Sequence, residues 1–189
     1  MSDDKRTQSI GFWHSDEPET LAETRVFTLR RKHATSPNDP ERRGEFFVID
    51  APDWVNVIAV TDDDRVLLIE QFRHGIEEIT VEIPGGMVDP GEDPLAAGLR
   101  ELREETGYGG GRAELIGVVT PNPALMNNRC HTVLVRGVER QGDAQLEGFE
   151  EIRTWLAPLA DVPAMIRSRD ITHALVIAAF HHLDLHGGA

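Results

Sequence analysis

Residues 85–108, GGMVDPGEDPLAAGLRELREETGY, decide how this chain is read. A glycine-rich loop runs into a short helix whose start and stop are both signalled. Asp93 can cap it, Pro94 suits the first helical position, and Gly107 can end it in a left-handed conformation. Leu95, Leu99 and Leu102 recur at helical spacing, which predicts one buried apolar face. Glu101, Glu104 and Glu105 recur at i, i+3 and i+4, so three carboxylates share another face. Like charges at that spacing destabilise an isolated helix. A bound cation removes the penalty, and clustered carboxylate oxygens suit hard cations such as Mg²⁺ or Mn²⁺.

The stretch resembles the Nudix box: Gly, five residues, Glu, seven residues, then Arg-Glu-aliphatic-any-Glu-Glu-any-Gly-aliphatic. Gly86, Glu92, Arg100, Glu101, Leu102, Glu104, Glu105 and Gly107 all fall in place. Only Tyr108 departs, standing where the pattern has an aliphatic residue. At about 7% frequency per position, seven fixed residues coincide by chance about once in 10⁸ windows.

Length and composition set the frame. At 189 residues the chain fits one domain with an amino-terminal extension. Its single cysteine, Cys130, excludes an intrachain disulfide and fits a reducing, cytoplasmic setting. Cys130 precedes an apolar stretch and reads as a buried thiol rather than a nucleophile. The amino terminus lacks the apolar core of a signal peptide, and the longest apolar run, residues 174–180, is too short to span a bilayer. A formal charge of −14 argues against nucleic acid as a partner, while small phosphates remain open because divalent ions reverse the local field.

Along the chain, residues 1–20 read as a loose arm, with Trp13 a possible anchor. Residues 24–32 and 45–50 read as two strands of a hairpin around a loop at 35–43. Strands follow at 55–60 and 65–71, joined by Thr61-Asp62-Asp63-Asp64. That acidic triplet lacks the glycine and distal glutamate of a Ca²⁺ loop, so it reads as a solvated turn. Further strands are expected at 80–83, 115–119, 132–135 and 152–156, with helices from 163 and over 173–186. His181, His182 and His186 include an i, i+4 pair that could take zinc. With no cysteine or acidic residue at ligand spacing, a solvated helix end is the stronger reading. The pattern suggests an α/β protein, an α/β/α sandwich around a mixed sheet with an amino-terminal β-hairpin extension. The resemblance implies the same fold, with residues 1–50 as arm and hairpin and 51–189 as the Nudix hydrolase domain.

Glu101 and Glu105, one turn apart, are the principal candidate metal ligands, with Glu104 beside them. The resemblance adds the carbonyl of Gly85 to that shell and gives Glu92 and Arg100 a structural salt bridge. It also implies a phosphate-contacting arginine at Arg73, in the run Glu70-Gln71-Phe72-Arg73; the alternative is an ordinary surface arginine. Pro123, fifteen residues beyond Tyr108, matches the ADP-ribose pyrophosphatase subgroup on the substrate side, though TPNP also reads simply as a turn. Glu150 matches the subgroup's acidic loop as general base, with Glu151 and Glu147 as rivals; a solvated acidic loop is the alternative. Glu150, Glu104 and Glu151 are thus the candidate catalytic acids.

The resemblance implies Mg²⁺-dependent (or Mn²⁺-dependent) cleavage of a nucleoside diphosphate sugar such as ADP-ribose. Two other functions compete: a nucleoside triphosphate pyrophosphatase, and a non-catalytic nucleotide-sensing module. A sensor would be expected to have a degraded box, whereas this box keeps every acid. Finally, a lone two-stranded hairpin is marginal in water, and Val26, Phe27, Phe46, Phe47 and Val48 are too apolar for a free arm. Within the subgroup this implies a homodimer built on the hairpin.

Overall fold

The computed structural model describes residues 10–146, 148 and 150–187. The chain divides into two compact units: Met1–Ala51 with Asn122–Asn127, and Pro52–Pro121 with Asn128–Ala189.

The first unit is a four-stranded antiparallel sheet of β1 (His14–Ser15), β2 (Glu19–Glu23), β3 (Thr28–Ser36) and β4 (Asp39–Asp50). β4 pairs along the whole of β3, while β1 and β2 pair with successive parts of it. The expected loop at 35–43 therefore shrinks to Pro37-Asn38, and part of the expected loose arm is strand. Two devices permit this. The Ser36 hydroxyl accepts the Asn38 N–H at 3.3 Å, and a register shift at Thr35/Ser36 absorbs the odd residue. Pro40 is tolerated because β4 lies at a sheet edge. Arg31–Glu19 (2.6 Å) and Arg30–Asp50 (2.7 Å) tie neighbouring strands. Trp13 does anchor, edge-on to Phe46 with ring centroids 5.6 Å apart. The 122–127 segment docks through Ile49 N–H to the Leu125 carbonyl (2.8 Å) and Asn127 Nδ2 to Asp50 (2.7 Å).

The second unit is a mixed sheet with helices on both faces. Its strands are β5 (Trp54–Val60), β6 (Arg65–Arg73), β7 (Glu78–Glu82), β8 (Gly85–Met87), β10 (Arg112–Val119), β11 (Cys130–Arg136) and β13 (Ile152–Pro158). A small separate ribbon pairs β9 (Tyr108–Gly109) with β12 (Glu139–Arg140). The main order is β10-β11-β5-β6-β13, in which β5 and β11 are parallel and the rest antiparallel. β5 and β6 share only the pair Val60–Val66; beyond it β5 turns to β8 and β6 to β7. The segment expected as a Gly85-Gly86 loop is thus a short strand.

Strand alternation feeds two cores. Ile58, Val60, Val66, Leu68 and Leu134 face Val162 of α2 (Val162–Ser168) and Val176, Ala179, Phe180 and Leu183 of α3 (Ala174–Gly187). Val55, Val57, Ala59, Leu67, Val133 and Val135 face Ala97 and Leu102 of α1 (Pro94–Thr106). Helix α1 starts and stops as its sequence predicts. Asp93 accepts the N–H groups of Leu95 and Ala96, and Gly107 is left-handed at φ 72°. Leu102 is fully buried, while Leu95 and Leu99 are half-buried at the rim. Gly98 lies over the sheet, where an added Cβ would meet methyls of Val133, Val55 and Val57 at 3.1–3.3 Å. The helix sits this low because that position carries no side chain. Tyr108, the departure from the aliphatic pattern, packs against the same core.

Candidate active site

The site begins where β8 passes under α1. Gly85 and Gly86 have no side chains because there is no room for them: a Cβ on Gly85 would strike the Val55 carbonyl, and one on Gly86 the Glu101 carboxylate. The strand thereby reaches the helix, and the Gly85 N–H donates to Glu105 Oε2 at 3.0 Å. Glu105 is buried at 6% exposure. Burial pushes its carboxyl up to about 8, the charges of Glu101 and Glu150 push the same way, and the Gly85 N–H and Arg73 oppose them. Burial also raises Glu101, with Glu104 and Glu150 adding to it against Arg100. Two neighbouring carboxylates are thus held where ionisation is unfavourable.

Arg100 compensates the rest of the cluster. Its Nε and Nη2 donate to Glu92 at 3.0 and 2.9 Å, and Nη2 also to the Met87 carbonyl at 3.0 Å. Nη1 donates to Glu101 at 2.9 Å and Glu104 at 3.1 Å. Every guanidinium N–H is used. Glu92 also accepts the Asp89 N–H, which fixes the loop ahead of the helix. The Glu92–Arg100 bridge is therefore present.

Among the described residues no three His, Cys, Asp or Glu side chains form a ready-made metal cluster. Arg100 draws Glu101 and Glu104 together, and Gly85 occupies one oxygen of Glu105. The donor set nevertheless fits a hard divalent cation. It is all oxygen, it is partly desolvated, and its two most buried members are destabilised as anions until positive charge arrives.

Arg73, at the end of β6, is held by the carboxylate of Glu82. Nε donates to Oε1 at 2.7 Å and Nη2 to Oε2 at 2.6 Å. Arg73 and Glu105 also feel each other's charge. Glu82 carries no motif in the sequence. Its only signal is the polar pair Thr80 and Glu82 at alternate positions of β7: both are buried, while the apolar Ile79 between Glu78 and Thr80 is exposed and Val81 packs against the core edge. Burial raises the Glu82 carboxyl, but hydrogen bonds from Arg73 and Thr80, with the charges of Arg73 and His173, bring it below its ordinary value.

Glu150 is exposed, and its charge is felt at both Glu101 and Glu105. Glu151 is exposed just ahead of β13. Glu147 lies outside the described residues. Pro123 is exposed in the 122–127 segment that belongs to the first unit. The carboxy-terminal histidines part company: His182 contacts the Thr132 hydroxyl at 3.2 Å and His186 contacts Glu114 at 3.3 Å. Cys130 is buried, and burial pushes its thiol up to about 12, so it is no nucleophile. The acidic triplet forms a plain hairpin turn, with Thr61 N–H bonded to the Arg65 carbonyl and Asp63 paired to Arg65.

The sequence profile of the NUDIX domain matches residues 51–180. The chain belongs to the Nudix family. Similar proteins include the ADP-ribose pyrophosphatase of Bacillus subtilis, 29% identical over 175 residues and covering 89% of this chain and 94% of its own. The methanol dehydrogenase activator of Bacillus methanolicus is 29% identical over 168 residues, covering 88% and 90%. Among solved structures, an ADP compounds hydrolase superposes with a TM-score of 0.81 at 23% identity, covering 97% of this chain and 99% of its own. That likeness shows the Nudix fold. The chain is a Nudix hydrolase, and Nudix hydrolases use a divalent metal. Among the described residues no helix is long and apolar enough to cross a membrane.

Proposed function

We propose that this Nudix hydrolase cleaves the diphosphate of a nucleoside diphosphate sugar, ADP-ribose first among them, with Mg²⁺ and with Mn²⁺ as a substitute. The products are AMP and ribose 5-phosphate. The observation that carries the reading is the Gly85–Glu105 contact, which sets two desolvated carboxylates of α1 against a side-chain-free strand. The full-length similarity to an ADP-ribose pyrophosphatase supports the substrate.

Glu101 and Glu105 would hold the cation, with Glu104 and the Gly85 carbonyl completing the protein's share. A divalent cation held there would offset the charge of the diphosphate and supply the Lewis acidity that brings a water's pKa towards neutral. The chain's own residues do the rest. Glu150 takes the proton of the attacking water, with Glu151 as its alternative. Arg73 meets a phosphate with the guanidinium edge that Glu82 leaves free. As water adds to one phosphorus, the bond from that phosphorus to the bridging oxygen breaks, and the bridging oxygen leaves with the other phosphate. Pro123 enters as a substrate-side residue on its spacing alone.

Residues 1–50 serve assembly and 51–189 catalysis in this reading. The first unit exposes Phe12, Trp13, Leu21, Val26, Phe27, Phe46 and Phe47, more apolar surface than a monomer should leave in water. A homodimer burying it symmetrically resolves this. The single buried thiol fits a reducing cytoplasm.

Nucleotide release from a panel of sugar nucleotides and nucleoside triphosphates, with and without Mg²⁺, tests the function. Metal-dependent release of AMP from ADP-ribose supports it. Preference for triphosphates, or binding without turnover, replaces it with a triphosphate pyrophosphatase or a sensor.

A further inference from the structure

We propose that Glu82 and His173 are positioning residues for Arg73: a buried carboxylate on β7 and a histidine at the start of α3 fix the guanidinium so that one edge always faces the substrate. This rests on the reading of Arg73 as the phosphate clamp.

Glu82 is 2% exposed, yet it is a charged group, on a strand paired on one side only, to β6. Burying an ion is costly unless its oxygens are well partnered. Here both oxygens are partnered. Oε1 accepts Arg73 Nε at 2.7 Å and the Thr80 hydroxyl at 2.6 Å, and Oε2 accepts Arg73 Nη2 at 2.6 Å. His173 Nδ1 lies 3.4 Å from Oε2 without hydrogen-bonding geometry to it. The ring therefore lies beside the carboxylate without competing with Arg73 for a hydrogen bond to it. Burial and the Arg73 charge outweigh the pull of Glu82 and keep the imidazole below its ordinary value, so it stands there uncharged at neutral pH.

The arrangement leaves the arginine half in and half out. Its Nε–Nη2 edge is fixed inward, while its side chain is 43% exposed and Nη1 bonds no other described residue. The free Nη1–Nη2 edge carries two parallel donors, which matches two oxygens of a phosphate. A free surface arginine would have to give up rotamer freedom on binding; this one has already given it up on folding. Glu82 stands three residues before Gly85, so the strand that holds the clamp runs directly into the strand that receives Glu105. α3 joins the same unit of structure through His173, far along the sequence from any motif residue.

Binding of ADP-ribose carrying a methylene in place of the bridging oxygen, measured calorimetrically with Mg²⁺, tests this on the full-length protein. Glu82→Gln keeps the side-chain volume but opposes one Arg73 donor with an amide N–H. It should weaken binding by about tenfold in the wild-type background, with kcat changed less than KM. In an Arg73→Ala background the same change should have no further effect. His173→Asn should show the same dependence on Arg73 with a smaller loss. Equal losses in both backgrounds would overturn the positioning role. A second readout needs no variant. In the ligand-free protein the Arg73 Nε–H resonance should exchange slowly with water; fast exchange would overturn the proposal even if Glu82→Gln failed to fold. If the wild-type protein neither binds nor cleaves ADP-ribose, the functional reading fails, while the exchange measurement still decides the positioning one.

Discussion

The backbone N–H of Gly85 donates to the carboxylate of Glu105 across twenty residues of sequence, at 3.0 Å. This contact joins the strand before the box to the helix inside it, and it orients one oxygen of the most desolvated acid in the site. Glu105→Gln can keep that hydrogen bond through its amide oxygen but loses the charge. Turnover should fall at least about a hundredfold in saturating Mg²⁺ with the fold intact, as judged by steady-state kinetics beside circular dichroism.

Metal removal should expose the electrostatic cost of the same residue. The Glu105 carboxyl is raised from 4.5 to about 8 in the fold. The folded state therefore binds a proton that the unfolded chain has released, and the associated stability is full below 4.5 and lost as pH rises towards 8. Melting of the protein in EDTA, compared with Glu105→Gln at each pH, should show the wild type losing ground over that window. Adding Mg²⁺ should restore it. A difference that does not change with pH would remove the argument.

The Glu82–Arg73–His173 group acts in the opposite direction. Glu82 is depressed below 4.5 and His173 below 6.5. Their contributions are present above those values and lost as pH falls, His173 first and Glu82 at more acid pH. Relative to His173→Asn, the wild type should lose melting temperature as pH drops below 6.5; relative to Glu82→Gln, only below 4.5. Urea titrations across pH 3–8 check the order.

Arg100 is the internal counter-charge of the acid cluster. Arg100→Ala leaves Glu92, Glu101 and Glu104 without their common partner and frees the Met87 carbonyl. Stability should fall by about 1–3 kcal/mol in denaturant unfolding. Mg²⁺ should recover part of it, because the cation takes over the compensation of Glu101.

How much of this was legible in the sequence varies by element. Helix α1 was legible to its caps because Asp93, Pro94 and Gly107 are local signals whose chemistry needs no distant partner. The acids at 101, 104 and 105 were legible for the same reason. The amino-terminal sheet was not. Pro37, Asn38 and Pro40 read as a long loop, yet a register shift and an edge position let Asp39–Arg43 run on as strand. Glu82 was not legible either. Its one local trace, a buried polar pair at 80 and 82 beside an exposed Ile79, carries no partner with it: Arg73 comes from the neighbouring strand β6 and His173 from the residue just ahead of α3.

Assembly is tested by sedimentation. Full-length protein at micromolar concentration should run as a dimer, and a chain beginning near Ala51 should not. A full-length monomer of about 21 kDa would refute the dimer. A truncated chain that stayed dimeric would place the interface elsewhere.

The most direct test of the account as a whole is the product analysis of ADP-ribose incubated with the purified protein and Mg²⁺, beside Glu105→Gln. The account predicts AMP and ribose 5-phosphate in equal amounts from the wild type, none without metal, and turnover at least about a hundredfold slower from the variant. Intact ADP-ribose with the wild type, or equal turnover by Glu105→Gln, would contradict it.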